Sequence, residues 1–302
     1  MRAVWSLWTK PMRAPRGSGW LDERYHMLSW ILSLQTARRY FDRVCLVTDD
    51  EGRRLLVDEL GLRFDEVSTE LQALELHDPA LWAIGKLYAY RAQREPFVHV
   101  DSDVYLWNAL PRAFLDAPVL AVYPEFFTYG TWPYECASLK SSVNAAGGWL
   151  PDELDAFVPV GGRLRAENCG LVGGQQVDFL SYYADQAIRL IEHPRNRAAW
   201  GVRRSLADDM LIFEQHMLAA CIDYHRARPG LRFDGVEIRY LFGGYDDAAE
   251  RADDVGFTHL LAGFKRMPVL LERVEARVAR DYPALYARCM ARFGAAALGH
   301  AS

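Results

Sequence analysis

Phe97-Val98-His99-Val100-Asp101-Ser102-Asp103-Val104 is a short apolar, β-branched run that ends in two acids one residue apart. The run has the length and composition of a buried strand. Both acids therefore fall where a strand leaves its sheet, the place where ligands of open α/β sheets collect. Extended backbone sends Asp101 and Asp103 to one side, and two hard oxygen donors on one side suit Mg²⁺ or Mn²⁺ with bound phosphates. An Asp that merely opens a turn is the competing reading of the same residues. Asp-x-Asp alone is a weak motif, so its meaning depends on what accompanies it elsewhere in the chain.

The residues before the acids set a strand–helix rhythm. Residues 3–8 read as a first strand that runs out into Thr9-Lys10-Pro11 and a loop rich in Gly, Pro and Arg. A nucleotide base or phosphate could be met there, and Trp8, Thr9 and Lys10 are the candidates for that contact. Leu21, Tyr25, Leu28 and Leu32 keep helical spacing in a segment that reaches about residue 40. A second strand over 43–48 ends in Asp49 and Asp50, a helix over 51–60 is closed by Gly61, and a short third strand covers 62–67. A helix over 79–94, with Trp82, Leu87 and Tyr90 turned inward, delivers the chain to the Asp101 strand. This alternation predicts a parallel, Rossmann-like sheet.

After Asp103 the pattern loosens. A strand over 118–123 precedes an aromatic, glycine-dotted stretch over 125–148, whose rings suit either sugar faces or a local core. Within 163–174, Glu167-Asn168-Cys169-Gly170-Leu171-Val172-Gly173-Gly174 reads as a strand with small residues at both ends, which predicts a close approach to its backbone. Helices follow over 175–193 and 205–221. Ser205-x-x-Asp208 is a capping pattern, which leaves Asp209 and Glu214 free for other work. Residues 231–242 alternate like an antiparallel strand, 243–247 make a turn, and Gly256-Phe257-Thr258-His259 leads towards Gly263 and Lys265. Two helices, 268–280 and 283–293, close the fold. The absence of a repeat or linker predicts one domain over 1–293 and a frayed tail over 294–302.

Composition narrows the function. At 302 residues, 51% hydrophobic and 25% charged, the chain has ordinary globular character, and a net charge of −5 with scattered arginines argues against a nucleic-acid partner. Five cysteines without a Cys-x-x-Cys pair predict a reducing compartment, read as cytoplasm. The longest apolar run, around 27–34, is broken by Ser29 and Ser33 and cannot span a bilayer, so any membrane contact is expected to be peripheral.

Three stretches together resemble metal-dependent glycosyltransferases of the GT-A fold. The nearest likeness is to the retaining group that includes glycogenin and the lipopolysaccharide galactosyltransferases, with a further likeness to capsular-polysaccharide transferases carrying an Asp-x-Asp sugar-binding region. The matching pieces are Val98-His99-Val100-Asp101-Ser102-Asp103, then Asn168-Cys169-Gly170-Leu171-Val172-Gly173, then His259 with Gly263 and Lys265, over about residues 3–270. The resemblance implies an α/β fold of GT-A type: a Rossmann-like mixed sheet with helices on both faces. It implies a nucleotide-sugar donor, most simply a UDP-hexose, an acceptor that the sequence does not identify, and transfer with retention. Asp101, Asp103 and His259 would hold Mn²⁺ or Mg²⁺, and Lys265 would contact the donor phosphates. Ser102, Asn168, Gly170, Gly263 and Lys86 would lie near the donor, and Asp209, Glu214 and Lys265 are the candidates for catalysis. The family usually places two residues between the late His and Gly, whereas Leu260, Leu261 and Ala262 stand between them here. Two rivals remain. An apolar strand followed by Asp-Ser-Asp-Val also fits the first motif of haloacid-dehalogenase-like phosphatases, and a non-catalytic sugar-nucleotide-binding protein would need the same ligands.

Overall fold

Parallel pairing of short apolar strands builds the first of two compact units in the computed structural model, which describes residues 1–14 and 19–294. This unit comprises Met1–Leu76, Val100–Leu110 and the chain from Ala252. The strand Arg2–Leu7 pairs with Val44–Thr48 in the register Ala3↔Val44 to Leu7↔Thr48, and Val44–Thr48 pairs in turn with Glu66–Ser68. Helix Glu23–Ala37 starts at Asp22, whose carboxylate accepts the Arg24 amide at 2.7 Å. It is buried on nearly every face because strand Val104–Leu106 and helices Pro268–Asp281 and Pro283–Phe293 pack around it. Polar side chains inside such a helix need partners. Ser29, Ser33 and Thr36 all find theirs on or beside the Asp101–Leu106 segment.

The second unit comprises His77–His99 and Pro111–Arg251. Its strand Val119–Ala121 pairs parallel with Ile238–Tyr240 and antiparallel with Leu171–Gly174, so the sheet is mixed and the class is α/β, as expected. The close approach predicted around Gly173 is present: a Cβ there would stand 2.0 Å from the Phe97 carbonyl oxygen, on the fully buried strand Phe97–Val100. Strands Pro124–Thr128 and Arg163–Glu167 form an antiparallel pair, and helix Val177–Glu192 packs on helix Ile84–Ala92.

Several expectations shift. The strand expected over 231–242 contracts to Ile238–Tyr240 and runs parallel, since alternation fixes which face a residue takes but not the direction of pairing. Residues expected to form only a turn start helix Tyr245–Val255, whose Asp247 accepts the Gly243 amide at 2.7 Å. Trp82 is 39% exposed rather than inward, because it precedes helix Ile84–Ala92 and so escapes that helix's periodicity. The expected helix over 51–60 is Asp50–Arg53 continued by a π-helical turn, Arg54–Glu59. Residues 15–18 of the Gly-, Pro- and Arg-rich loop, and the tail from 295, lie outside the described residues.

Candidate functional site

The Asp101–Asp103 turn is held from behind by the buried helix. Ser33 Oγ donates to the Asp101 carbonyl at 3.0 Å, and Ser29 Oγ, four residues earlier on the same face, donates to the Ser102 carbonyl at 2.7 Å. Tyr105 OH meets Ser29 Oγ at 2.8 Å, and Trp5 Nε1 donates to Ser33 Oγ at 3.0 Å. These contacts tie the turn's carbonyls back to the core. The sequence reading missed these serines, treating them only as breaks in an apolar run; the signal was their i, i+4 spacing inside the otherwise apolar stretch Met27–Leu34.

Antiparallel pairing then brings in the late loop. Strand Phe257–His259 pairs with Val104–Leu106 in the register His259↔Val104, and the Leu260 amide donates to the Asp103 carbonyl at 3.0 Å. Ligand atoms of Asp101, Asp103 and His259 consequently all lie within 4.8 Å of one another. His259 Nε2 is 3.5 Å from Asp103 Oδ1, and Lys265 Nζ is 2.5 Å from Asp103 Oδ2. Burial alone would raise the Asp103 carboxyl, yet Lys265 and His259 beside it hold it well below the usual carboxylate range. The donor set of two carboxylates and an imidazole fits a divalent ion of the Mn²⁺ or Mg²⁺ kind. His259 Nδ1 is buried without a hydrogen-bond partner among the described residues, which leaves that nitrogen an unspent donor site.

The extra residue between His259 and Gly263 has a structural answer. Ala262 takes a left-handed backbone, φ 41°, while a Cβ on Gly263 would meet nothing within 4 Å. The tight turn is thus made one residue before the glycine, and Lys265 still reaches Asp103. Segment Ala262–Arg266 is anchored where the Leu21 amide donates to the Lys265 carbonyl and Arg266 Nε to that of Gly19, at 3.1 and 3.2 Å. Lys265 Nζ also lies 5.7 Å from the centre of the Trp20 ring, which stacks on His26. Burial first, then the positive charge of Lys265, pushes His26 down to about 3, and Asp103 only partly opposes this.

Among the first-strand candidates, Trp8 belongs to the core at 6% exposure. Thr9 is bound through its amide and hydroxyl to Asp49 Oδ2, both at 2.8 Å, and Lys10 Nζ donates to the Glu75 carbonyl at 2.7 Å. Asp49, read only as an acid after a strand, positions Thr9 and caps the next helix through the Gly52 amide.

The second unit gathers other candidates. A π-helical turn, Ile212–His216, places Glu214 fully buried within a run of helix, a distortion that recurs at functional sites. Lys86 Nζ is 2.7 Å from Glu214 Oε1, Tyr90 OH donates to the same oxygen at 2.7 Å, and Oε2 has no partner among the described residues. Burial, then Lys86, keeps His99 well below its ordinary value. Asn168 Nδ2 donates to Glu125 Oε1 at 3.0 Å, while its Oδ1 accepts the Gly170 amide at 3.2 Å and shapes the break between two strands. Asp209 stands differently: Arg203 takes both its oxygens, at 2.6 and 2.8 Å, in a buried fork. Ser205 Oγ accepts the Asp208 amide at 3.3 Å, the capping contact expected there. Of the aromatic stretch, Tyr134 is core while Phe126 and Trp132 are exposed.

A family model described as "Family of unknown function (DUF6734)" matches residues 1–292. No curated protein matches the sequence. Among solved structures, the galactosyltransferase LgtC in complex with donor and acceptor sugar analogues is 13% identical, with 70% of each chain covered and a TM-score of 0.36. A glycosyltransferase involved in glycosylation of the major capsid of PBCV-1 is 11% identical, covering 91% of this chain and 98% of that one, with a TM-score of 0.40.

Proposed function

We propose that this chain, which belongs to the family of unknown function DUF6734, is a metal-dependent glycosyltransferase of the GT-A type that moves a hexose from a UDP-sugar with retention. The observation that carries this reading is the convergence of Asp101, Asp103 and His259, with Lys265 on Asp103, from two of the stretches that resemble that class. A divalent ion held by these three side chains would supply positive charge opposite the donor diphosphate. Lys265 adds a mobile cation at the same place: its exposed turn lets it exchange the Asp103 carboxylate for a phosphate as the leaving group gains charge. Ser102 and Gly263 lie in the segments that carry this site.

In their own unit, Asn168, Gly170 and Lys86 are proposed as donor-sugar residues on the strength of the resemblance. Glu214 is a better candidate than Asp209 for work at the reacting carbon, because Arg203 occupies both Asp209 oxygens while Glu214 keeps one unpartnered. A cytoplasmic setting is supported by five free, buried thiols, and no described helix is long and apolar enough to cross a membrane.

Calorimetry with UDP and Mn²⁺ tests the reading: binding is expected, and EDTA should abolish it. A screen of nucleotide-sugars for UDP release should then identify the donor. Release of phosphate from simple monoesters instead would replace the transferase with a phosphatase, and binding without any turnover would leave a sugar-nucleotide-binding protein.

A further inference from the structure

The second unit contains a cleft of about 780 Å³ that the donor reading does not use. One wall is the antiparallel pair Pro124–Thr128 and Arg163–Glu167. Period-two alternation puts Arg163 and Arg165 on one face of their strand, with Leu164 and Ala166 buried on the other. Phe126 stands directly opposite Arg165 in the register, and the Arg163 guanidinium lies 5.2 Å from the Phe126 ring centre. The opposite wall is the end of helix Met217–Arg226, which brings Arg226 and, two residues on, Arg228, whose guanidinium covers Tyr224 at 3.9 Å.

The charges here are unevenly matched. Arg165 is committed to Glu167 and Asp223, at 2.9 and 3.0 Å. Arg163, Arg226 and Arg228 line the same cleft and make no ion pair among the described residues, in a chain whose net charge is −5. Three guanidinium groups with no carboxylate partner at one concavity suit a carboxylate or phosphate, which such forks bind through paired N–H groups. Two further features give the ligand a body. Phe126 is 51% exposed beside the arginines, an apolar face for a ring to rest on, and Glu153 lines the cleft as a buried acceptor whose Oε1 already accepts a hydrogen bond from the Tyr182 hydroxyl. Anion forks, a ring face and a hydroxyl acceptor together describe one class of ligand.

We propose that this cleft binds an acidic saccharide, a sugar ring bearing a carboxylate or a phosphate. The binding requires neither Asp101 nor a divalent ion, and it stands whether or not the transferase reading does. Calorimetry on the full chain without metal, with glucuronate, glucose 6-phosphate, glucose and inorganic phosphate as separate probes, tests it. At least one of the two acidic sugars is expected to bind, the tighter identifying the anion, and affinity should fall about tenfold or more in the Arg226→Ala/Arg228→Ala protein. Raising the salt should weaken binding as well. Glucose binding as tightly as the acidic sugars would overturn the proposal, as would inorganic phosphate matching glucose 6-phosphate, or undiminished affinity in the double variant. An unchanged urea unfolding midpoint for that variant shows that its fold is intact, and since no probe here is a nucleotide or a metal, the result is separate from any failure of the donor site.

Discussion

Each unit buries a carboxylate against a lysine, and the two pairs are built for different work. Asp103 meets Lys265 at 2.5 Å and His259 at 3.5 Å, with Asp101 in reach of the same point. Its lysine sits on a short turn at 24% exposure, and the turn itself holds Ala262 in a left-handed backbone. Glu214 meets Lys86 at 2.7 Å, but that lysine is 13% exposed on a helix with a buried face, and Tyr90 fixes the same oxygen. The first arrangement collects cations around an acid and keeps one of them on a yielding support. The second locks an acid in place and leaves one of its oxygens unspent. A surface turn makes a ligand site that can exchange partners; a fully buried acid bonded to a lysine and a tyrosine of one helix makes a fixed electrostatic post.

The comparison can be broken most severely at Asp103. If that carboxylate organises the metal and Lys265, Asp103→Asn should lower turnover on the order of 10²–10³-fold while the protein stays folded. UDP release in the presence of Mn²⁺ measures this, and normal turnover would remove the carboxylate from the site. Glu214→Gln sharpens the other side. Stripping the charge from a fully buried partner breaks a buried ion pair of Lys86, so urea unfolding should show a loss of about 3 kcal/mol, more than Asp103→Asn costs, since Lys265 can turn towards water. Equal losses in the two variants would erase the distinction between fixed and yielding pairs.

Acid should act on the first region through His26. Its folded-state value, about 3, lies below the ordinary 6.5, so the unfolded chain takes up the proton first as pH falls. Its contribution is complete above 6.5, declines as pH drops, and amounts to about 2 kcal/mol lost by pH 5. His26→Gln, which keeps an acceptor for the Trp30 indole, should flatten the stability profile over that range; an unaltered slope would assign the effect to other groups such as His216, held down to about 4 by its own burial. The smallest effect belongs to Ala262. Glycine at its left-handed position should raise stability by up to about 1 kcal/mol, read as a modest rise in Tm, and a fall would mean the methyl group packs usefully in the turn.

Much of the architecture was legible because it rests on local pattern. The Phe97–Val100 strand with acids at its end, the helices Pro268–Asp281 and Pro283–Phe293 behind their prolines, and the glycines that let a neighbouring strand pass all follow from spacing and residue type. Helix Tyr245–Val255 escaped because none of its residues is fully buried and its inner face, Ala248, Ala252 and Val255, is made of small side chains that stand out little among acids. The direction of the Ile238–Tyr240 strand escaped because pairing partners are not encoded in alternation.

For the site, the sequence by itself determined which chemistry was on offer: acids one residue apart at a strand end, a later histidine and lysine, a glutamate left over after capping. Tertiary structure decided which of these groups stand together and how freely each can act. Residue types state what a side chain can donate or accept, but its neighbours fix whether that capacity is already used. Arg203 uses up Asp209, Tyr90 and Lys86 share one oxygen of Glu214, and strand pairing at His259↔Val104 draws the histidine to Asp103. Those outcomes depend on contacts between segments distant in sequence, and only the folded chain creates them.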